Sequence, residues 1–378
     1  MKLIYLDNAA TTKVDEKIVK EMESYFTEKY GNPSSVHLKG QEAHRALEEA
    51  RHTIAKAIHA KDSEIYFTGS GTEANNWALK GIILKSKKKH IITSKIEHDC
   101  ILNTCRWLET QGCKVTYLNV DSKGFINLEE LKNSITPDTA LVSIIHGNNE
   151  IGTIQDIESI GKICHQAGVL FHTDACQSFT KTDIDVRKNI DLMTLNAHKI
   201  HGPKGVGALF IKEGIKITSL LHGGGQESGK RSSTENLPGI VGFAAAVKQI
   251  SKKDVKRMEE LRDFLIDRIL KIPGTKLNGS REKRLCNNIN VSFGNIEGEA
   301  IGGYLDSYGI STSTGSACSS KSLEPSHVLL AIGLTPLQAN SSIRLSLSKY
   351  TTKEEINYTL EILDKIVAKL RKMSPFKI

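Results

Sequence analysis

Through the first two-thirds of the chain, short apolar runs alternate with stretches whose apolar residues recur every three or four positions. The strand-like runs span 64–68, 90–93, 114–118, 140–145, 169–172, 191–195 and 206–211. Between most of them lie helical patterns, as at 72–84, 98–110 and 157–167. Strands alternating with helices predict an α/β fold with a mostly parallel seven-stranded sheet covered on both faces. Too little chain joins the last two strands for a crossover helix, so an antiparallel member is expected there.

Residues 1–14 read as an extended arm, followed by a helix from about Asp15. Residues 31–37 are dense in turn formers, and helical spacing resumes from Lys39. Beyond a glycine-rich stretch at 221–236, one long helical pattern runs from about 238 to 271, stopped by Pro273-Gly274. The remainder predicts a smaller α+β unit: a strand at 288–293, a helix at 299–307, a Ser/Thr/Gly loop, a strand at 343–347 and a helix at 352–373. The expected division is a large domain of residues 15–251 and a small one of 1–14 with 252–378, hinged near residue 250 within the long helix.

Length and composition narrow this picture little. A chain of 378 residues, 39% hydrophobic and 25% charged, suits a two-domain globular protein. The formal charge of +8 is gathered in local runs such as Lys85–Lys89, which read as solvated helix ends, so no direct nucleic-acid contact is expected. No apolar stretch approaches the ~20 residues that span a bilayer. Seven cysteines without a Cys-x-x-Cys pair suggest a reducing compartment, the cytoplasm, and no structural metal.

Candidate chemistry gathers just after the predicted strands. Lys199 stands past an apolar strand between two histidines, where partial desolvation would free a neutral amine for Schiff-base chemistry. Asp174 ends another strand, and a lysine with a carboxylate is the pair that a pyridoxal phosphate site requires. Gly69-Ser-Gly-Thr72 leads from a strand into a helix, the outline of a phosphate cradle. His98, the Asn148-Asn149-Glu150 turn and Gln177 fall at the same sheet edge, where ligands of parallel α/β sheets bind. Cys318 sits in a loop of small polar residues with nothing bulky to bury its thiol, whereas the other six cysteines read as buried and inert. Arg344 is a lone cation on an apolar strand, suited to a carboxylate ligand or to a buried ion pair.

Together these stretches resemble the NifS/IscS-type cysteine desulfurases, pyridoxal-phosphate enzymes of the class V aminotransferase group with fold type I. The resemblance rests on Leu6-Asp-Asn-Ala-Ala-Thr-Thr12, Gly31-Asn-Pro-Ser-Ser35, Asn148-Asn-Glu-Ile-Gly152, His198-Lys-Ile-His-Gly-Pro-Lys-Gly-Val-Gly207, Gly223-Gly-Gly-Gln-Glu227, Ser313-Thr-Gly-Ser-Ala-Cys318 and Leu323-Glu-Pro-Ser-His327. It implies that Lys199 carries the cofactor as a Schiff base, that Asp174 pairs with the pyridine nitrogen, and that His98 stacks on the ring and shuttles protons. Asn149 and Gln177 would contact ring substituents. Gly71, Thr72, Asn196 and His198 would hold the phosphate, joined by Thr234 from the second subunit of a homodimer. Arg344, with Asn149, would bind the carboxylate of L-cysteine.

Cys318 would accept sulfur as a persulfide and pass it to an iron–sulfur scaffold or a tRNA-thiolation protein; it is also a candidate transient cluster ligand. A selenocysteine lyase, another class V lyase and a weakly active sulfur-relay scaffold are the alternatives. Three departures stand out. Asn196 replaces a common serine, Ser233 a usual glycine, and Gly69-Ser-Gly-Thr72 the commoner Ser-Gly-Ala-Thr.

Overall fold

The computed structural model describes residues 3–315 and 324–373, so Cys318 and the expectations attached to it lie outside the described residues. Seven strands form the main sheet in the order Ile65–Thr68, Gly207–Ile211, Leu192–Asn196, Leu170–Asp174, Thr139–Ser143, His90–Ser94, Lys114–Leu118. Gly207–Ile211 runs antiparallel to both of its neighbours, and the other pairings are parallel.

Adjacent residues of one strand feed opposite cores, as the two-residue period of a pleated strand requires. Phe67, Ile92, Val142 and Phe210 enter one apolar cluster with Ile54, Phe171 and Phe243. Tyr66, Ile91, Leu141 and Leu209 enter the other with Trp77, Ile82 and Leu108. Burial on both faces explains why these strands read as continuous apolar runs rather than as alternating ones.

A second, antiparallel sheet joins Ser342–Ser346, Asn288–Phe293 and Thr275–Leu277. It has its own core of Ile289, Val291, Ile343, Leu345 and Leu363. The N-terminal arm crosses to this part of the molecule, where Ile4–Tyr5 pairs in parallel with Ile310–Ser311.

The helix expected from Asp15 begins there, with the Asp15 carboxylate accepting the Lys17 N–H at 2.9 Å. The single long helix expected at 238–271 is in fact two, Leu237–Gln249 and Lys252–Ile269. Ile250 is extended, and Ser251 opens the second helix through a reciprocal capping box with Asp254. Apolar spacing continues across that break, so periodicity alone misses it. Leu128–Ser134, His327–Ala331 and Pro336–Asn340 are one- or two-turn helices, too short to show a period. No described helix is long and apolar enough to cross a membrane.

Thr180 lies close behind the strand carrying Asp174 and adopts φ 62°, a region that crowds a β-branched side chain. Its buried hydroxyl has no hydrogen-bond partner. Thr180→Gly therefore trades strain of ~1–2 kcal/mol against a glycine entropy cost of ~0.5–1 kcal/mol. The variant is expected to be about 1 kcal/mol more stable in urea titration. An unchanged or lower midpoint would show that the backbone at this position is not strained.

Candidate active site

Four strand ends place the predicted residues along one edge of the main sheet. Leu170–Asp174 ends in Asp174, which is buried and fully engaged: Oδ2 accepts the Asn75 amide at 2.7 Å and Oδ1 the Cys176 N–H at 2.9 Å. The adjacent strand Leu192–Asn196 runs into the turn bearing His198 and Lys199. Asp174 and Lys199 thus follow neighbouring strands.

The N-terminal arm lies across this turn. Thr12 donates to the His198 carbonyl at 2.9 Å and accepts the His201 N–H at 2.8 Å. Lys199 Nζ donates to the carbonyls of Ala9 and Ala10, and the Gln177 amide reaches Ala9 as well. The arm of Asp7–Thr12 is therefore a wall of the site. Burial, then the positive charge of Lys199, pushes His198 down to about 4, so it is neutral at physiological pH.

The turn 69–71 runs directly into a helix. Ser70 caps the helix Gly71–Lys85, and Glu73 Oε2 accepts the Gly69 N–H at 2.7 Å. A side chain at Gly71 would begin 2.7 Å from Cys176 Sγ and 3.4 Å from the Asn196 amide nitrogen, so the alanine common here in the family pattern would need the Cys176 thiol to shift. Asn196 Oδ1 is buried without a partner. Thr72 is exposed at the helix start. Thr234 is also exposed, and its loop is tied to the cradle by Arg231, which grips Glu73 at 2.8 Å. Ser233 sits at φ 141°, a conformation that favours glycine, so the serine here is strained.

His98 caps the helix Asp99–Thr110 through Nδ1, which accepts the Cys100 N–H at 3.1 Å. With Nδ1 an acceptor, the proton of neutral His98 resides on Nε2. The Cys100 thiol lies 3.1 Å from the same Nδ1 and accepts the Asn75 amide at 3.1 Å. Asn75 therefore bridges Asp174 to the His98 group. Its position is legible in retrospect, one turn beyond Gly71–Thr72 on the same helix face. Cys100 and Cys176 are half-buried at the site, unlike Cys105, Cys113, Cys164 and Cys286, which are buried as expected.

Asn149 rests in a turn made by Asn148, whose Oδ1 accepts two N–H groups, of Glu150 and Ile151, each at 2.9 Å. Arg344, almost wholly buried, donates Nη1 to the Asn149 carbonyl at 3.1 Å and Nη2 to Asp7 at 2.7 Å. The ion-pair reading of Arg344 is thus realised with Asp7. Its Nε and the Asn149 Oδ1 have no partner.

Two buried ionisable groups carried no sequence signal. Burial holds Lys181 down to about 8, and its Nζ donates to the Gln177 carbonyl at 3.0 Å. Glu97 precedes His98 and is fully buried; Oε1 accepts Ser94 and Ile145, while Oε2 has no partner. Burial raises it from 4.5 to about 8. A cleft of about 970 Å³ between Phe179–Asp185 and Val255–Glu259 is lined by Lys181 but by none of the predicted site residues. Among the described residues no His/Cys/Asp/Glu group could hold a metal.

A mostly parallel sheet with a lysine and a carboxylate at neighbouring strand ends, beside a glycine-led cradle, defines an aminotransferase-type frame, and residues 4–359 match the family Aminotransferase class-V. A cysteine desulfurase IscS of Dictyoglomus turgidum is 50% identical over 99% of this chain and 97% of its own. One from Methanosarcina thermophila is 50% identical over 99% of this chain and 94% of its own. A NifS-like protein superposes with a TM-score of 0.91 at 41% identity, covering 98% of this chain and all of that one. SspA, solved in complex with cysteine, superposes at 0.84 with 39% identity over 92% of this chain and all of its own. The chain belongs to the class V aminotransferase family, in its NifS/IscS-type cysteine desulfurase branch.

Glu97 generates a prediction. Its folded pKa lies above the unfolded value, so its stabilisation is complete below about 4.5 and lost as pH rises toward about 8. Glu97→Gln removes that titration. Between pH 5 and pH 8 the variant is expected to lose less stability to urea than the wild type does. Parallel losses would mean that Glu97 does not titrate in this window.

Proposed function

We propose that the protein is a pyridoxal-phosphate-dependent cysteine desulfurase that converts L-cysteine to L-alanine and keeps the sulfur as a persulfide on Cys318. The observation that carries this reading is the placement of Lys199 just past the strand that pairs with the one ending in Asp174, whose carboxylate is held by Asn75 and Cys176. The site also fits the cofactor elsewhere. Gly71 opens a capped helix beside Asn196, and Asn196 and Asn149 keep buried amide oxygens unpaired.

In this reading Lys199 would hold the cofactor covalently, Asp174 would pair with its pyridine nitrogen, and His98 would lie against its ring. Asn149 and Gln177 would meet the ring substituents. Gly71, Thr72, Asn196 and His198 would take the phosphate, with Thr234 supplied by a second copy in a homodimer. The exposure of Thr234 supports a role across a subunit boundary. Once bound, the cofactor supplies an electron sink for the carbanion at the substrate Cα.

The chain's own groups do the rest. Arg344 binds the substrate carboxylate, and its unpartnered Nε supports that role. Asn75 holds the Asp174 carboxylate in place. Lys199 Nζ takes the Cα proton, and His98 holds a proton on Nε2 for transfer within the site. The Cys318 thiolate then attacks the substrate sulfur: the S–S bond forms, the Cβ–S bond breaks with its electron pair left on carbon, and a proton completes alanine. The thiol–persulfide exchange needs no external oxidant. We assign the acceptor as an iron–sulfur scaffold or tRNA-thiolation protein in the cytoplasm. We assign the large domain to residues 15–251 and the small one to 1–14 with 252–378.

Alanine and sulfide are expected in equal amounts from L-cysteine with added cofactor and a thiol reductant, and both should vanish in Cys318→Ala and Lys199→Ala. Full activity of Cys318→Ala would exclude the persulfide route. It would make selenocysteine the next substrate to try.

A further inference from the structure

The chain that carries Cys318 leaves and re-enters the described structure at residues bonded to the active site. On the upstream side, Ser313 exchanges both main-chain hydrogen bonds with Arg344, at 2.6 and 3.2 Å. On the downstream side, Ser326 Oγ donates to Glu150 Oε2 at 2.5 Å, and His327 Nε2 donates to the Glu97 carbonyl at 2.9 Å. Glu150 follows Asn149, and Glu97 precedes His98. A Cβ built on Gly315 would lie 3.6 Å from Glu150 Oε2 and 4.0 Å from the Ser326 side chain. Both ends of the segment therefore meet at one buried carboxylate.

Apolar packing supports the same arrangement. Val328, Leu329 and Ile332, from the helix His327–Ala331 and its C-cap, form a separate buried cluster with Ile96 and Ile151. Ile96 lies two positions before His98, and Ile151 two after Asn149. The Asn148 amide donates to the Ile96 carbonyl at 2.8 Å, so the two catalytic turns are also fixed to each other. Each contact ties the downstream end of the segment to a residue that adjoins the proposed chemistry.

We infer that Glu150, Ser326 and His327 are positioning residues forming an anchored neck that sets where the Cys318 segment starts and ends relative to the substrate sulfur. This rests on the desulfurase reading. Fixed points at Gly315 and Ser326 bound where a thiol between them is delivered, and a misplacement of about 1 Å costs on the order of 100-fold in a transfer step. Substrate binding is set by Arg344 and the cofactor pocket, so the neck governs sulfur transfer and not affinity for L-cysteine.

The test uses the full-length, cofactor-loaded protein and follows two signals. L-cysteine binding is read from the cofactor absorbance change, and persulfide on Cys318 by mass in a single turnover. His327→Ala, which deletes the donor to the Glu97 carbonyl, is expected to slow persulfide appearance about tenfold while half-saturation by L-cysteine stays within about twofold. His327→Gln retains a donor and should restore most of the rate. Ser326 also caps its helix by accepting the Leu329 N–H at 3.3 Å, so Ser326→Ala serves as the second variant. An unchanged persulfide rate in both alanine variants would overturn the proposal, as would joint loss of binding and transfer that Gln does not rescue.

A wild type that forms no persulfide sinks the desulfurase reading itself. The neck is then judged by hydrogen exchange of the Val328–Ala331 amides. Faster exchange in His327→Ala supports the anchor, and identical exchange removes it.

Discussion

The turn Asn148–Gly152 is gripped by main-chain carbonyls that point away from the main sheet. Asn288 and Asn290 donate to the carbonyl of Glu150 at 3.1 and 3.2 Å, and Arg344 donates to that of Asn149. All three donors come from the small antiparallel sheet. From the other side, Asn148 closes the turn and ties it to Ile96. Buried polar groups of this kind cost far more broken than they contribute when made. The relation between the main-sheet edge and the strand bearing Arg344 is thereby fixed.

Electrostatics follows from that rigidity. Asp174 keeps two donors, whereas Glu97, only a short distance behind it, keeps donors at one oxygen and is raised toward its neutral form. Burial drives the rise at Glu97, the donors on its Oε1 oppose it, and the proximity of Asp174 adds to it. The histidines flanking Lys199 are both held neutral, His198 by burial and Lys199, His201 by burial despite its bond to the Lys13 carbonyl. Lys199 accordingly works among neutral rings, with its amine directed to main-chain oxygens of the arm.

Much of this was legible in the chain. The alternation of apolar runs gave six parallel strands and one antiparallel strand because burial on both faces removes any need for polar alternation. The residues at strand ends followed, since the edge of a parallel sheet gathers whatever stands just past each strand. Contacts that join distant segments were not legible. Nothing in Asp7, Ser346 or Asn288 announces a partner more than a hundred positions away, and Asn75 looks like an ordinary helix residue until Asp174 is beside it. The break at Ser251 was concealed by apolar spacing that runs through it, although its capping residues were present to be read.

The departures from the family pattern test how local such a site is. Glycine in place of serine at position 69 leaves the cradle intact because its N–H, not a side chain, bonds Glu73. Asn196 brings an amide to the same edge, its nitrogen 3.4 Å from where a Cβ on Gly71 would lie and its oxygen unpaired. Ser233 is different, because its backbone sits where a Cβ is crowded whatever the side chain bonds. That strain is confined by Arg231, which locks the loop to Glu73 just before Ser233, so it falls on the stretch leading to Thr234 rather than on the cradle. A second copy of the chain placed against Thr234 would therefore meet the substitution before the turn at Gly71 does.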